Sequence, residues 1–344
     1  MDDKKEYLER DIDWMAQVKS YRSGGVPVDK KDIHKFMDCS VFTYRRGLHQ
    51  LAEALETHLR GNSKVTFRTN ARVTSLSVSD DKLIELAYEK QDSTVQSRDS
   101  IQTPSRSTHD QVISALSPAH LSKLVTDSSL ADALADIPAV TVMTVNLYYR
   151  EPDMNPPGFG YLVPQATSME QNPERALGVI FDNSYSAARS EANPEHHEGP
   201  VQDTVSQRGT KMTVMLGGHY WSDWPSFPSN DEGLEMAKNV LSRHLGIIEE
   251  PAAFVVNLQK DCIPQYIVGH EDTIKQIHRK LQQEYKGKLR VAGSWIRGVG
   301  VNDCLRSAFD VVQELHDDSK TGLESVVEEK RYVMEDRSAS SESP

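Results

Sequence analysis

The chain is 344 residues long, enough for two cooperating lobes at roughly 100–200 residues per domain. Its formal net charge is −12 and its basic residues are scattered, which excludes the phosphate-binding footprint of a nucleic-acid partner. No run approaches the ~18 consecutive apolar residues of a membrane span, so any membrane association is expected to be peripheral.

The opening residues Met1 to Glu6 are acidic and hydrophilic and show no targeting signal. Residues 1–35 read as a short helix followed by a turn at Ser23-Gly24-Gly25-Val26-Pro27. From Gly47 to Arg60 the apolar residues Leu48, Leu51, Ala52, Leu55 and Leu59 recur at helical spacing, predicting an amphipathic helix whose apolar face buries against a sheet. Strands are expected at Val65–Phe67, Val73–Val78 and Leu83–Tyr88, with a turn at Asn70. Gln91–Asp110 is almost free of apolar residues and reads as a solvated loop.

Val112–Ala115 is a short strand running into Ser117-Pro118, a pair that caps and starts a helix. Further strands are expected at Val140–Tyr149, Ala176–Phe181, Met212–Leu216 and Phe254–Leu258, and helices at Glu232–Leu245 and Asp272–Tyr285. The polar insertion Asn183–Gly209 holds His196-His197 between Glu195 and Glu198, but offers no further ligand at helical spacing, so a solvated loop is favoured over a metal site. Cys39, Cys262 and Cys304 are far apart and form no C-x-x-C pair, so reduced thiols are the expected state. After Leu315 the composition turns charged and then Ser-rich, and 317–344 is expected to be a disordered tail.

Lys288–Gly293 is a strand ending in glycine, followed by Gly298-Val299-Gly300-Val301 and a helix in which Asn302 or Asp303 can serve as cap. Such a helix N-terminus favours a group that becomes anionic, as a reduced flavin does, although the same pattern taken alone is more often a plain turn.

The string Ala292-Gly293-Ser294-Trp295-Ile296-Arg297-Gly298-Val299-Gly300-Val301-Asn302-Asp303-Cys304 closely resembles the C-terminal flavin motif of the protoporphyrinogen oxidases. Phe159-Gly160-Tyr161-Leu162-Val163-Pro164, Asn172–Asp182, Thr213–His219 and Cys262–Tyr266 resemble further segments of that family in the same order. The likeness runs from about Phe42 to Leu315. It implies an α/β, two-lobed flavoprotein fold: an incomplete Rossmann-like FAD-binding domain formed by 42–125 and 286–316, a mixed-sheet substrate-binding domain at 126–285, and an N-terminal extension at 1–41.

By the same resemblance the chain would oxidise protoporphyrinogen IX to protoporphyrin IX, with FAD as hydride acceptor and oxygen as electron acceptor, without a metal or a dedicated acid or base. Val73, Val299, Gly300 and Val301 match positions that contact FAD. Phe159, Leu162 and Met215 match positions that hold the macrocycle, and an apolar clamp suits a flat, largely apolar tetrapyrrole. The family location, the mitochondrial inner membrane, is implied in the same way.

Two departures accompany the likeness. The family opens with a G-x-G-x-x-G turn for the FAD diphosphate, and the sequence contains no such pattern, so the chain reads as N-terminally truncated with weakened FAD binding. Arg46-Gly47 stands where the family usually has two glycines. Exposed sheet edges are then expected to favour association with a second chain, a homodimer included. A non-catalytic tetrapyrrole-binding fragment and another amine oxidase-like flavoenzyme are the alternative readings.

Overall fold

A computed structural model describes residues 44, 47–79, 81–90, 104–182, 209–222, 224 and 226–328. The expected N-terminal helix, the insertion with His196-His197 and the end of the tail lie outside the described residues. The chain divides into two compact units, 1–65 with 187–206 and 66–186 with 207–344. In the first unit α1 (His49–Arg60) forms where the periodicity predicts it. None of its residues is buried, however, and Leu48 is 56% exposed, so the expected burial of its apolar face is not seen. Periodicity specifies a helix; burial needs a facing surface.

The second unit contains two hydrophobic cores. The first gathers β1 (Ala71–Val78), β2 (Ile84–Lys90) and β3 (Ser105–His109), an antiparallel sheet in that order, with a parallel pair formed by β4 (Val112–Ser114) and β10 (Leu289–Val291). Val65–Phe67, expected as a strand, is irregular. Conversely β3 lies within the stretch expected to be loop. Ser-Arg-Ser-Thr-His has no apolar alternation, and it is held instead by pairing with β2 from Ile84–His109 to Tyr88–Ser105 and by the Arg106–Glu85 ion pair at 2.8 Å.

Helices α2 (Pro118–Leu121), α3 (Ser128–Ala135) and α5 (His270–Tyr285) pack with these strands. Leu130, Leu134, Ile274, Ile277 and Leu281 are fully buried alongside Leu289 and Val291. Helices α3 and α5, which fall within 126–285, thus share a core with the strands expected in the FAD-binding part.

The tail is corrected. Residues 317–328 are ordered and end in α7 (Glu324–Val327), with Thr321 and Leu323 fully buried. The Glu324 carboxylate accepts from the Thr321 and Gly322 amides at 2.7 and 2.9 Å, and the Val291 amide donates to the Thr321 carbonyl at 2.9 Å. The His278 ring nitrogen lies 2.7 Å from the Thr321 hydroxyl. Charged composition concealed a segment whose polar groups are paired inside the fold.

The second core lies on one face of a five-stranded sheet in the order β6 (Gly160–Leu162), β7 (Ala176–Phe181), β8 (Thr210–Gly217), β5 (Ala139–Tyr149), β9 (Ala253–Pro264), antiparallel throughout. Met143, Val145, Leu147, Met212, Val214 and Leu216 face α4 (Asn230–Leu245). A Ser229–Glu232 capping box starts that helix and Gly246, at φ 70°, stops it. Beyond it, α6 (Val301–Gln313) follows the glycine loop, and among its residues only Val311 is buried.

Burial lowers the proton affinity of His244, His270 and His278, with Arg243 adding to the effect at His244 and Glu324 opposing it at His278. Each folded-state value lies below the unfolded one of about 6.5, so this stability is complete above pH ~6.5 and is lost as pH falls through the lowered values. Burial also pushes Tyr149 and Tyr161 up to about 12, a contribution present below pH ~10 and lost as pH rises toward 12. The thermal midpoint is therefore expected to be flat from pH 7 to 9 and to fall below pH ~6.5. A calorimetric series that remained flat to pH 5 would contradict it.

Candidate functional site

Strand alternation leaves the second face of the five-stranded sheet uncovered by α4. Along β5 the buried residues Met143, Val145 and Leu147 alternate with half-buried Thr144, Asn146 and Tyr148, and the latter set belongs to that face. Cross-strand register then lines up its rows. Leu162 on β6 opposes Gly178 on β7, Gly178 opposes Met215 on β8, and Met215 opposes Thr144.

Two of the three expected substrate residues, Leu162 and Met215, thus flank Gly178 in one cross-strand row of this face, and Gly178 is itself buried. Leu162 is 76% exposed, an unusual position for a leucine on a well-formed strand. Phe159 stands just before β6, its carbonyl accepting from the Phe181 amide at 2.9 Å, and its side chain is exposed too.

The neighbouring row is Gly160, Ile180, Thr213 and Asn146. Thr213, 8% exposed, has its hydroxyl 2.8 Å from the Asn146 side-chain amide and 2.7 Å from an Asp182 carboxylate oxygen. The sequence reading did not single out this polar trio. Its only trace in the sequence is the polar alternation Thr144, Asn146 inside an otherwise apolar strand.

Part of the family-like segment Asn172–Asp182 holds structure in place. The Asn172 amide bonds both the amide and the carbonyl of Ala176, at 2.8 and 2.9 Å. The buried Glu174 carboxylate takes a two-pronged bond from Arg243; burial alone would raise its pKa, but those bonds outweigh it and hold it below the usual carboxylate range. Arg175, at φ 56°, donates to the Tyr220 carbonyl and lies over the Trp224 ring at 4.1 Å.

Val299, Gly300 and Val301 are contiguous at the start of α6, and all three are exposed. Val73 lies on another element, half-buried on β1 beside an irregularity in the β1–β2 register, where it pairs with Tyr88. The helix cap runs opposite to expectation. Gly300 is the N-cap residue, and the Asp303 carboxylate reaches back to accept from the Gly300 amide at 3.2 Å. A Cβ at Gly298 would come within 2.3 Å of that carboxylate, so the glycine is required for the cap to close. Asp303 also offsets part of the positive field expected at this helix end.

The loop before the helix is gripped from the connection between β9 and α5. The Tyr266 hydroxyl donates to the Ser294 carbonyl, and the rings of Tyr266 and His270 meet edge to face at 4.7 Å. Burial, followed by the Asp303 carboxylate, pushes the Tyr266 hydroxyl up, which keeps it a neutral donor. From the other side the Gly293 amide donates to the Ser307 hydroxyl at 3.1 Å.

These residues fit the rim of a flavin. Backbone at Val299–Val301 is open to approach, the first-turn amides of α6 have no intrahelical acceptor, and the Trp295 indole nitrogen beside the loop is buried with no partner among the described residues. Val299, Gly300 and Val301 would hold the group through main-chain contacts. Among the described residues there is no cluster of His, Cys, Asp and Glu able to hold a metal, and no helix is long and apolar enough to cross a membrane.

Comparison with known proteins gives a consistent outcome. Residues 12–316 match the flavin containing amine oxidoreductase family. Human protoporphyrinogen oxidase is 32% identical over 273 residues, covering 78% of this chain and 50% of the relative, and that of Schizosaccharomyces pombe is 30% identical over 210 residues, covering 60% and 38%. The chain thus spans half or less of the length of these curated relatives. Among solved structures, an Exiguobacterium sp. 255-15 protein assigned to the protoporphyrinogen oxidases superposes with a TM-score of 0.59 at 19% identity, over 79% of this chain and 51% of its own. That likeness shows the fold.

Proposed function

The chain belongs to the flavin containing amine oxidoreductases, a family of FAD-dependent oxidoreductases, and from that premise we propose that it acts on protoporphyrinogen IX and oxidises it to protoporphyrin IX. The observation that carries the reading is the row Leu162–Gly178–Met215 on the sheet face opposite α4, with Leu162 left 76% exposed at its end. A flat macrocycle loses water on its whole lower face when it lies on such a surface, and exposed Leu162 gains the burial it lacks in the free protein.

FAD, when bound, supplies the acceptor for the hydride. The protein's own residues orient the ring: Leu162 and Met215 set its height, and Phe159 stands at the near end. No side chain on this face is needed as acid or base, since protons lost by the macrocycle can pass to water. Oxygen is the proposed final electron acceptor. The inner mitochondrial membrane is the proposed location, with peripheral attachment and self-association into a dimer.

The test is to purify the chain with excess FAD and add anaerobic protoporphyrinogen. A protein-bound flavin spectrum that bleaches on addition is expected. Tetrapyrrole binding without a bound, reducible flavin would instead make the chain a tetrapyrrole-binding protein without turnover. Binding of neither would overturn the reading.

A further inference from the structure

We propose that Asn146 accepts a hydrogen bond from a pyrrolic N–H of the reduced macrocycle, oriented for that purpose by Thr213 and Asp182. The inference rests on the tetrapyrrole reading above and assigns a specificity-determining polar group to the same site. Asn146 lies one row from the Met215–Thr144 pair on the same sheet face, and it is half-buried.

Proton bookkeeping on the trio leads to this assignment. The Thr213 hydroxyl has two close acceptor oxygens, Asn146 Oδ1 at 2.8 Å and Asp182 Oδ2 at 2.7 Å, but only one proton to give. An ionised carboxylate can only accept, so the hydroxyl proton goes to Asp182. The Thr213 oxygen is then an acceptor toward Asn146. The Asn146 amide satisfies it when turned about χ2 so that its NH2 group faces Thr213, an orientation set by the network and not by the shape of the amide.

Turning the amide places its carbonyl oxygen on the side away from Thr213. The trio thus works as a one-way relay: Asp182 fixes the hydroxyl, the hydroxyl fixes the amide, and an acceptor is presented beside the Leu162–Gly178–Met215 row. With Thr213 only 8% exposed, the relay is shielded from competing water.

The chemical consequence is discrimination between the two oxidation levels of the ring. A reduced macrocycle with saturated bridging carbons is puckered, and its four pyrrolic N–H groups can tilt toward the sheet. The fully conjugated product is flat, and its inner N–H groups are turned to the ring centre, out of reach of Asn146. A single neutral hydrogen bond to a half-buried acceptor corresponds to about tenfold in affinity. Asn146 therefore favours substrate over product and helps to release the oxidised ring.

The experiment is an anaerobic titration of the flavin-free full-length chain with mesoporphyrinogen and, separately, with mesoporphyrin, followed by quenching of tryptophan fluorescence. The unaltered protein is expected to bind the reduced ring about tenfold more tightly. In Asn146→Leu that preference should vanish while porphyrin affinity stays unchanged. Thr213→Val, which keeps the volume and breaks the relay, should remove most of it and guards against misfolding of the first variant. Equal affinity for both rings in the unaltered protein, or a preference that survives both substitutions, overturns this inference alone. Failure to bind either ring overturns the tetrapyrrole reading beneath it.

Discussion

Arg290→Met is expected to destabilise the second unit by about 3–5 kcal/mol, among the largest effects of any single substitution in the described residues. Arg290 sits in the middle of β10 with no exposure to solvent. Its guanidinium donates to four main-chain carbonyls: Gly287 at 3.1 Å, Glu314 at 2.6 Å, Leu315 at 3.3 Å and Asp317 at 2.9 Å. Glu314 and Leu315 lie at the C-terminal end of α6, where helix carbonyls have no intrahelical donor and carry partial negative charge.

One side chain therefore ties the parallel pair to the end of the helix that follows the glycine loop. Methionine has nearly the same length and fills the volume, but it takes the donor from the buried Gly287 carbonyl and from the part-buried Glu314 and Asp317 carbonyls, while Leu315 keeps its bond from Gln111 at 3.1 Å. Lysine restores the charge with a single ammonium in place of a planar fork and should recover only part of the loss. The measurement is urea denaturation, read as a fall in midpoint at constant slope. A loss under about 1 kcal/mol would show that water replaces the arginine in that pocket.

Gly178→Val is expected to lower tetrapyrrole affinity by roughly 100-fold or more. A Cβ at this position would lie 2.3 Å from the Tyr161 carbonyl oxygen and 3.0 Å from the Leu162 Cα, both main-chain atoms that cannot rotate away. Strand β6 is three residues long and pairs only with β7, so it is the element that yields. Its displacement carries Leu162, whose Cδ2 would lie 3.1 Å from the new Cβ, away from Met215.

The stability cost should stay near 1–3 kcal/mol, since an edge strand moves and the buried core beneath β7 and β8 does not. Leu162→Ala is the companion variant. Its side chain is mostly exposed, so it should leave the melting temperature unchanged and weaken binding by only about tenfold. If Gly178→Val retained full affinity for mesoporphyrin, the macrocycle would have to bind elsewhere. The same titration decides both variants.

The legible part of the fold was the part written in local periodicity. The 3.6-residue pattern in Glu232–Leu245 and Asp272–Tyr285, the β-branched run from Val140 to Tyr149, and the strand–glycine–helix order from Leu289 to Gln313 all appear where the residues predict them. The main errors have a common cause. Strand β3 is a run of polar residues held by pairing with β2, and 317–328 is a charged run whose Thr321 is held by His278 and the Val291 amide. In both, partners distant in sequence supply what composition does not advertise.

For the proposed site, the sequence singled out Leu162 and Met215 through family-like motifs and gave no role to the glycine between them or to Asn146, Thr213 and Asp182 on the adjoining row. The cap at Asp303 was half legible: an acid in the first turn was visible, its folding back onto the Gly300 amide was not.

The amino-acid sequence by itself determined which segments become helix or strand, which face of each is apolar, and which family the chain resembles, because those properties depend on neighbours within a few residues. Only the tertiary structure decided which face of the five-stranded sheet α4 covers and which residues meet across the other. Register between strands tens of residues apart places Leu162, Gly178 and Met215 in one row, and a one-residue slip would send them to opposite faces. The same holds for Arg290, which looks like a surface charge in sequence and becomes a buried fastening because four carbonyls from two separate stretches of chain converge on it.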